Sequence, residues 1–172
     1  MPPARKRKHE GPVTCCDTGY PRRVAIVRKT VQTSPGRVFA VLADGWTYSD
    51  WVVGTAHIRD VDDMWPEPGS QLHHKAGPWP FSLQDSSTVL AMTPDRSLTM
   101  RAGLWPLGEA TVRIDLEPVG TAATRVVMHE DFHAGPLQWA RNKINDLVLH
   151  RRNMESLRRL SDIATREKTR TS

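Results

Sequence analysis

The stretch that decides the fold is VAIVRKTVQTSPGRVFAVLADGWTYSDWVVG, residues 24–54. Its opening segment, Val24–Thr33, is rich in the β-branched residues that strands favour, and it predicts a first strand. Ser34 and Pro35 follow as a helix N-cap and a first-turn proline. The apolar residues after them recur at helical spacing, so a helix is predicted over about Pro35–Asp44.

Three aromatic residues follow this first predicted helix. Gly45 is predicted to end the helix in the way that a C′ glycine does, and a second short helix is predicted over Thr47–Val53. Trp46, Tyr48 and Trp51 fall where a chain usually turns to solvent. Since large apolar side chains are seldom exposed together without a role, they point to a cavity.

The middle of the chain predicts six further strands. The clearest is Gly108–Pro118, in which apolar and polar residues alternate strictly, as is typical of an antiparallel sheet with one buried face. The other five predicted strands are Thr55–Val61, Gln71–Ala76, Phe81–Met92, Ser97–Leu104 and Thr124–His133.

The hydrophobic period becomes helical after Gly135-Pro136. A helix of near 30 residues is predicted over about Pro136–Arg166, and its length favours a kink or break near Asn142–Asp146. The sheet must bury one face, and this helix is the one large apolar partner available to it. We therefore expect an α+β fold with the long helix laid across a curved antiparallel sheet, leaving room between them for a pocket.

Lysine and arginine are concentrated at the two ends of the chain. Residues 1–23 carry six of them against two acids, residues 24–134 carry nine against 13, and residues 135–172 carry nine against four. A nucleic-acid-binding domain places its positive charge on the folded body, so specific nucleic-acid binding is not expected. The basic ends favour solubility or weak contact with polyanions.

The terminal segments are expected to lie outside the folded domain. Residues 1–22 predict a disordered basic tail and residues 167–172 a frayed end, which leaves one ligand-binding domain over 23–166. No stretch is apolar enough for a signal peptide or a membrane span, so neither secretion nor stable membrane insertion is expected. Cys15 and Cys16 are adjacent and cannot staple a fold, which favours a cytoplasmic setting.

Several segments together resemble a known superfamily. They are VQTSPGRVFAVL (residues 31–42), the aromatic segment 46–51, the turn and strand TPDRSL (residues 93–98) and the arginine-rich terminal helix. Over residues 24–165 the chain resembles the SRPBCC superfamily, which includes START-related lipid-transfer domains, birch-pollen-allergen-like proteins and the polyketide cyclase/dehydrase group.

This resemblance implies a helix-grip fold, in which a sheet of six to seven strands wraps on the C-terminal helix around a hydrophobic cavity. Members of the superfamily bind lipids, polyketides, hormones and other apolar molecules. Some are cyclases and others are carriers, chaperone activators or toxins. The superfamily has no shared catalytic residues, so the resemblance assigns none to this chain.

Residues 129–133 read HEDFH and match the zinc-protease pattern HExxH. That pattern works on a helix, whereas on the strand predicted here the two histidines lie about 13 Å apart and cannot share a zinc ion. Glu130 shares strand parity with Val126, Met128 and Phe132, which predicts an inward-facing carboxylate. Such a group is a candidate acid or base. The alternatives are a strand end open to water and a pair between Glu130 and a cationic side chain.

His74 is the second candidate for acid–base chemistry. It shares parity with Leu72 and Ala76 and therefore faces inward, whereas His73 faces the opposite side of the sheet. A His74–Glu130 pair across the cavity is the sharpest enzyme hypothesis that the sequence offers. The alternative is a hydrogen-bonded core histidine.

Apolar and aromatic side chains complete the predicted site. Trp79 and Trp105 each precede a proline at a strand end, where they either join Trp46 and Trp51 in an aromatic portal or cap the core. The predicted ligand-binding residues are Trp46, Trp51, Leu72, Trp79, Met100, Trp105, Val112, Ile114, Met128, Ile144, Leu147 and Val148. No phosphate loop, dinucleotide-binding glycine pattern, nucleophile elbow or metal-spaced cysteine set is present in the sequence, so no cofactor and no metal are expected.

The function expected from these features is binding or transport of a hydrophobic small molecule, lipid or polyketide-like, between the sheet and the terminal helix. The first alternative is an enzyme of the polyketide cyclase/dehydrase type, with His74 and Glu130 in acid–base roles. The second is an interaction module that uses the basic tails.

Overall fold

The computed structural model of the protein describes residues 24–76, 83–103, 108–134 and 143–166. The described strands are β1 (Ala25–Val31), β2 (Thr55–Val61), β3 (Gln71–Ala76), β4 (Leu83–Thr93), β5 (Ser97–Gly103), β6 (Glu109–Val119) and β7 (Ala123–Ala134). The described helices are α1 (Pro35–Leu42), α2 (Tyr48–Trp51) and α3 (Lys143–Thr165), with a 3-10 turn over Gly45–Thr47 just before α2.

The seven strands form one antiparallel sheet in the order β1-β7-β6-β5-β4-β3-β2. Two short helices follow β1, and the long C-terminal helix packs on the sheet, so the predicted α+β architecture is confirmed. The predicted bounds of β2 and β3 agree residue for residue with the structure, because turn residues delimit both strands in the sequence.

The two ends of the first helix differ in whether a polar side chain takes part. Ser34 occupies the N-cap position in an extended conformation, but its side chain makes no capping hydrogen bond. The helix ends at Leu42 and not at Asp44, because the Asp44 carboxylate instead accepts the backbone N–H of Trp46 and caps the following turn.

The predicted role of Gly45 is wrong. This residue is not in the left-handed conformation of a C′ glycine, and it lies buried inside the 3-10 turn. A Cβ atom at this position would lie 2.7 Å from Val61 Cγ1 and 3.2 Å from Leu72 Cδ1. Glycine is therefore needed because the turn presses directly onto β2 and β3.

The predicted terminal helix is present over the part that the structure describes, but the break predicted near Asn142–Asp146 is not seen from Lys143 onward. From Lys143 the helix runs without interruption to Thr165. The remainder of the predicted helix, residues 136–142, lies outside the described residues.

One face of the sheet, called here the inward face, builds the core together with α3. On β1 and β6 the buried residues alternate with exposed or half-buried ones, and β7 follows the same alternation except at Val127, which is also buried. Leu157, Leu160 and Ala164 of α3 are buried in the same apolar cluster. The backbone contacts of α3 are most extensive with β1, α1 and α2, so its C-terminal half anchors the helix at one side of the sheet.

Candidate functional site

The middle of the inward face carries a row of small side chains. In the strand register, Phe132 of β7 stands opposite Ala110 of β6, which stands opposite Ala102 of β5. Ala102 in turn stands opposite Ser87 of β4, and Ser87 opposite Leu72 of β3. Three neighbouring strands thus contribute only Ala110, Ala102 and Ser87, called here the small-residue row, between two large side chains.

A hydrogen-bonded ion pair borders this row on the β7 side. Glu130 is 2% exposed, and one of its carboxylate oxygens accepts a hydrogen bond from the Arg152 guanidinium of α3. The other oxygen accepts one from Asn153 Nδ2 at 2.7 Å. Arg152 also donates to Asn153 Oδ1, which closes a three-residue network called here the sheet–helix clamp. Burying a carboxylate is costly unless it is paired in this way.

A second polar group borders the row on the β3 side. His74 of β3 is 5% exposed and stands directly opposite Asp85 of β4 in the register. Burial lowers the pKa of His74, although the negative charge of Asp85 acts in the opposite direction. The imidazole is therefore neutral at pH 7. Its Nδ1 atom is buried and has no hydrogen-bond partner.

Gly103 at the end of β5 makes room for the Asp85 carboxylate. A Cβ atom on Gly103 would overlap the Asp85 side chain, with its Oδ1 and Cγ atoms both far inside contact distance. The same Oδ1 atom accepts the backbone N–H of Ser86 at 2.8 Å. Any side chain at position 103 would therefore displace the carboxylate that faces His74.

Three aromatic side chains cover β2 and β3 on the inward side. The Tyr48 ring lies 4.8 Å from that of Trp51 and 5.4 Å from that of Trp65, measured between centroids. Tyr48 Oη and Trp65 Nε1 both donate to the backbone carbonyl of Leu42. Trp51 is 1% exposed, and its Nε1 has no partner.

The unpartnered atoms of His74 and Trp51 call for an explanation. Nearly all buried polar atoms in proteins are hydrogen-bonded, and leaving one unpaired costs about 1–3 kcal/mol. Among the described residues, these are the two buried side-chain polar atoms without a partner. Both lie on the inward side of β2 and β3.

The predicted ligand-binding residues fall into three groups. Those that are buried or half-buried on the inward side are Trp51, Leu72, Met100, Val112, Ile114 and Met128. Those that are largely exposed are Trp46 at 58%, Leu147 at 50% and Val148 at 60%. Trp79 and Trp105, and the side chain of Ile144, lie outside the described residues. The role of all these positions in ligand binding stays a prediction.

The hypothesis of a His74–Glu130 pair meets a geometric obstacle. The two residues lie on β3 and β7, with β4, β5 and β6 between them in the sheet. Four strand spacings amount to roughly 19 Å along the sheet. Glu130 is instead held by Arg152 and Asn153, in keeping with the alternative that it pairs with a cationic side chain.

Sequence reasoning missed the residues that complete both polar groups. Asp85 shares strand parity with the buried Ser87 and Val89, and that signal was available in the sequence. Arg152 and Asn153 carried no comparable signal, because an arginine on an amphipathic helix ordinarily reads as part of its solvated face.

The HExxH match does not form a metal site. Its residues lie on β7, and His129 faces outward with Nε2 3.6 Å from Asp115 Oδ2. Within the described ranges, no cluster of three histidine, cysteine, aspartate or glutamate side chains could hold a metal ion.

None of the helices that the structure describes is both long enough and apolar enough to cross a membrane.

An open cleft on the loop between β2 and β3 is a weaker candidate site. It encloses about 680 Å³ and is bordered by Asp60, Asp62, Asp63 and Glu67. Its carboxylates already serve the loop itself, since Asp62 accepts the backbone N–H of Gln71 and Asp60 that of Val61. The inward face of the sheet is therefore the stronger candidate.

A seven-stranded antiparallel sheet that grips a long C-terminal helix, with two short helices after the first strand, defines the helix-grip class. A model of the family described as "Polyketide cyclase / dehydrase and lipid transport" matches residues 23–164. The chain belongs to this family, and through it to the SRPBCC superfamily. A search of curated proteins found no match.

Solved structures support the same fold. Protein NE0264 from Nitrosomonas europaea has a TM-score of 0.65 at 18% identity, over 84% of this chain and 95% of its own. The ZhuI aromatase/cyclase from Streptomyces sp. R1128 has a TM-score of 0.64 at 18% identity, over 83% and 93%. Ara h 8.0201 has a TM-score of 0.64 at 11% identity, over 83% and 97%. At these identities the likeness concerns the fold alone.

Proposed function

We propose that this protein binds a hydrophobic small molecule, lipid or polyketide-like, between the inward face of the sheet and α3. The observation that carries the proposal is the small-residue row, in which Ala110, Ala102 and Ser87 follow one another across three strands. Side chains this short fill little of the space between a sheet and a helix, whose packing distance is near 10 Å. Family membership supports the same function.

The surroundings of the row suit an apolar ligand with a few polar contacts. Met100 and Val112 border it on one side, and Leu72 and Phe132 stand at its ends. Small-molecule sites in proteins are largely apolar, with a small number of polar groups that fix the orientation of the ligand. The His74 imidazole is such a group here.

Native mass spectrometry of freshly purified protein tests this proposal. We expect a retained ligand, or binding of one equivalent of a fatty acid or an aromatic polyketide when each is added. Failure to bind any member of a panel that covers both classes would overturn it. Binding that depends on residues 1–22 and falls steeply with salt would instead favour the interaction module that uses the basic tails.

A second candidate function is catalysis of the cyclase/dehydrase type. The observation that favours it is the buried His74 imidazole opposite the Asp85 carboxylate, an arrangement that can orient an imidazole as a general base. An enzyme would lose turnover but keep substrate binding in a His74→Ala variant. Glu130→Gln tests the other predicted acid–base residue in the same assay, and unchanged turnover in both variants would exclude this function.

A further inference from the structure

The two unpartnered atoms, Trp51 Nε1 and His74 Nδ1, lie on the inward side of β2 and β3. Gly45 packs directly on Leu72, so the 3-10 turn before α2 covers the inward side of β3. Trp51 ends α2, which packs on β2 and on α3. His74 lies two residues beyond Leu72 on the same face and stands opposite Ile58 of β2. The segment that carries Trp51 therefore covers the strands that present His74.

The aromatic cluster provides an internal contrast. Tyr48 and Trp65 share the Leu42 carbonyl as acceptor, whereas the neighbouring Trp51 has no acceptor for its indole N–H. All three rings pack in the same apolar cluster. A buried indole in this cluster can therefore find an acceptor, as Trp65 does. The Trp51 N–H lacks one because of where Trp51 lies in the cluster.

Solvent does not satisfy these atoms either. Trp51 Nε1 and His74 Nδ1 are both closed to water. An indole nitrogen only donates a hydrogen bond, so its missing partner must be an acceptor. A neutral imidazole nitrogen donates or accepts according to its tautomer, so a carbonyl or a hydroxyl oxygen suits His74.

We propose that the bound molecule carries an oxygen that accepts the Trp51 indole N–H, with a second polar contact to His74, and is thus an oxygen-bearing compound and not a plain hydrocarbon. This inference rests on the proposed function, which requires only that an apolar molecule binds. Because both atoms are closed to solvent, the side chains packed around them must move apart locally when the ligand enters. The oxygen then takes the place of the missing acceptor.

A matched pair of probes tests the inference. The ketone 9-fluorenone and the hydrocarbon fluorene share one rigid skeleton and differ in a single carbonyl oxygen. We expect the full-length protein to bind the ketone at least tenfold more tightly. Trp51→Phe should remove this preference and leave fluorene binding in place. Trp65→Phe is the control, since it removes an indole N–H whose acceptor lies within the protein.

Variants of His74 test the second contact. His74→Leu removes the polar atom and should weaken the binding of fluorenone but not that of fluorene. His74→Asn keeps a polar atom near the position of Nδ1 and should restore part of the loss.

A spectroscopic readout in the unaltered protein keeps the inference testable if a variant fails to fold. The Trp51 indole N–H resonance, identified by its contacts to the Tyr48 ring, should shift downfield with fluorenone and not with fluorene. Equal affinity for the two probes, or no shift, would overturn the inference while leaving the proposed function intact. Binding of neither probe would contradict the inference, whereas the proposed function is decided separately by the panel of fatty acids and polyketides.

Discussion

His74 illustrates how a single residue acquires its properties from the register of the sheet. Its inward direction follows from strand parity, but its neighbour Asp85 comes from the next strand, and its Nδ1 is buried without a hydrogen-bond partner. Burial lowers the pKa of His74 in the folded protein below its ordinary value of 6.5. The same imidazole in an unfolded chain binds a proton more readily.

This difference predicts a pH dependence of stability. Because the unfolded state binds more protons as the pH falls below about 6.5, the free energy of unfolding should fall on going from pH 7.5 to pH 5.5. Urea unfolding at the two pH values measures it. His74→Leu should flatten the dependence, whereas His73→Leu, on the opposite face of β3, controls for the loss of one histidine. Equal pH dependence in wild type and His74→Leu would contradict the account.

Two glycines provide a prediction about close packing. Gly45→Ala places a methyl group 2.7 Å from Val61 Cγ1 and should destabilise the protein by about 1–3 kcal/mol, the usual range for overpacking. Gly36→Ala in α1 meets only ordinary contacts, 3.5 Å from Asp95 Oδ1, and should be neutral or slightly stabilising. Thermal unfolding compares the two, and equal destabilisation would refute the role given to Gly45.

At the level of elements, the sheet–helix clamp attaches α3 to the sheet at the middle of the helix. Hydrogen bonds from Arg152 and Asn153 attach the middle of the helix to Glu130 of β7. One turn further along, Ser156 Oγ accepts the backbone N–H of Val53 at 3.0 Å, which fixes the helix to the segment after α2. The half of α3 before these contacts carries the exposed Leu147 and Val148.

Two arginines of α3 should differ in their contribution to stability. Arg152→Met leaves the buried Glu130 with Asn153 as its remaining partner and should cost about 2 kcal/mol, less than a fully buried pair because Arg152 is partly exposed. Arg158→Met breaks surface pairs with Glu155 and Asp162, which solvent screens, and should destabilise the protein much less than Arg152→Met. Chemical denaturation measures both, and an Arg158 effect as large as that of Arg152 would contradict the role of the clamp.

The elements themselves were largely predictable, and their connections were less so. Alternation of apolar residues identified β6, and turn residues delimited β2 and β3, because local sequence controls both features. The packing role of Gly45 was not predictable, since it depends on Val61 and Leu72, which come later in the chain. The capping role of Asp44 is local, because the Trp46 N–H that it accepts lies only two residues away, and the predicted helix end missed it. The clamp was likewise not predictable, because Glu130 lies more than 20 positions before Arg152 and Asn153.

On the scale of the whole molecule, the register of seven strands determines which polar groups can act together. Strand parity correctly placed Glu130 and His74 on the inward face. It could not reveal that three strands separate them, because strand order is a global property of the fold. The small-residue row was equally hidden, since Ala110, Ala102 and Ser87 become neighbours only through pairing.

An apolar ligand is proposed to occupy the space over the small-residue row. Binding of the uncharged fluorescent probe 1-aminoanthracene to Ala102→Leu tests it most directly, with Ala91→Leu on the exposed face of β4 as the matched control. We predict that wild type and the control bind one equivalent with the same Kd, and that Ala102→Leu, still folded by circular dichroism, binds at least tenfold more weakly. Equal Kd values for the two variants, or no binding by wild type, would contradict the account.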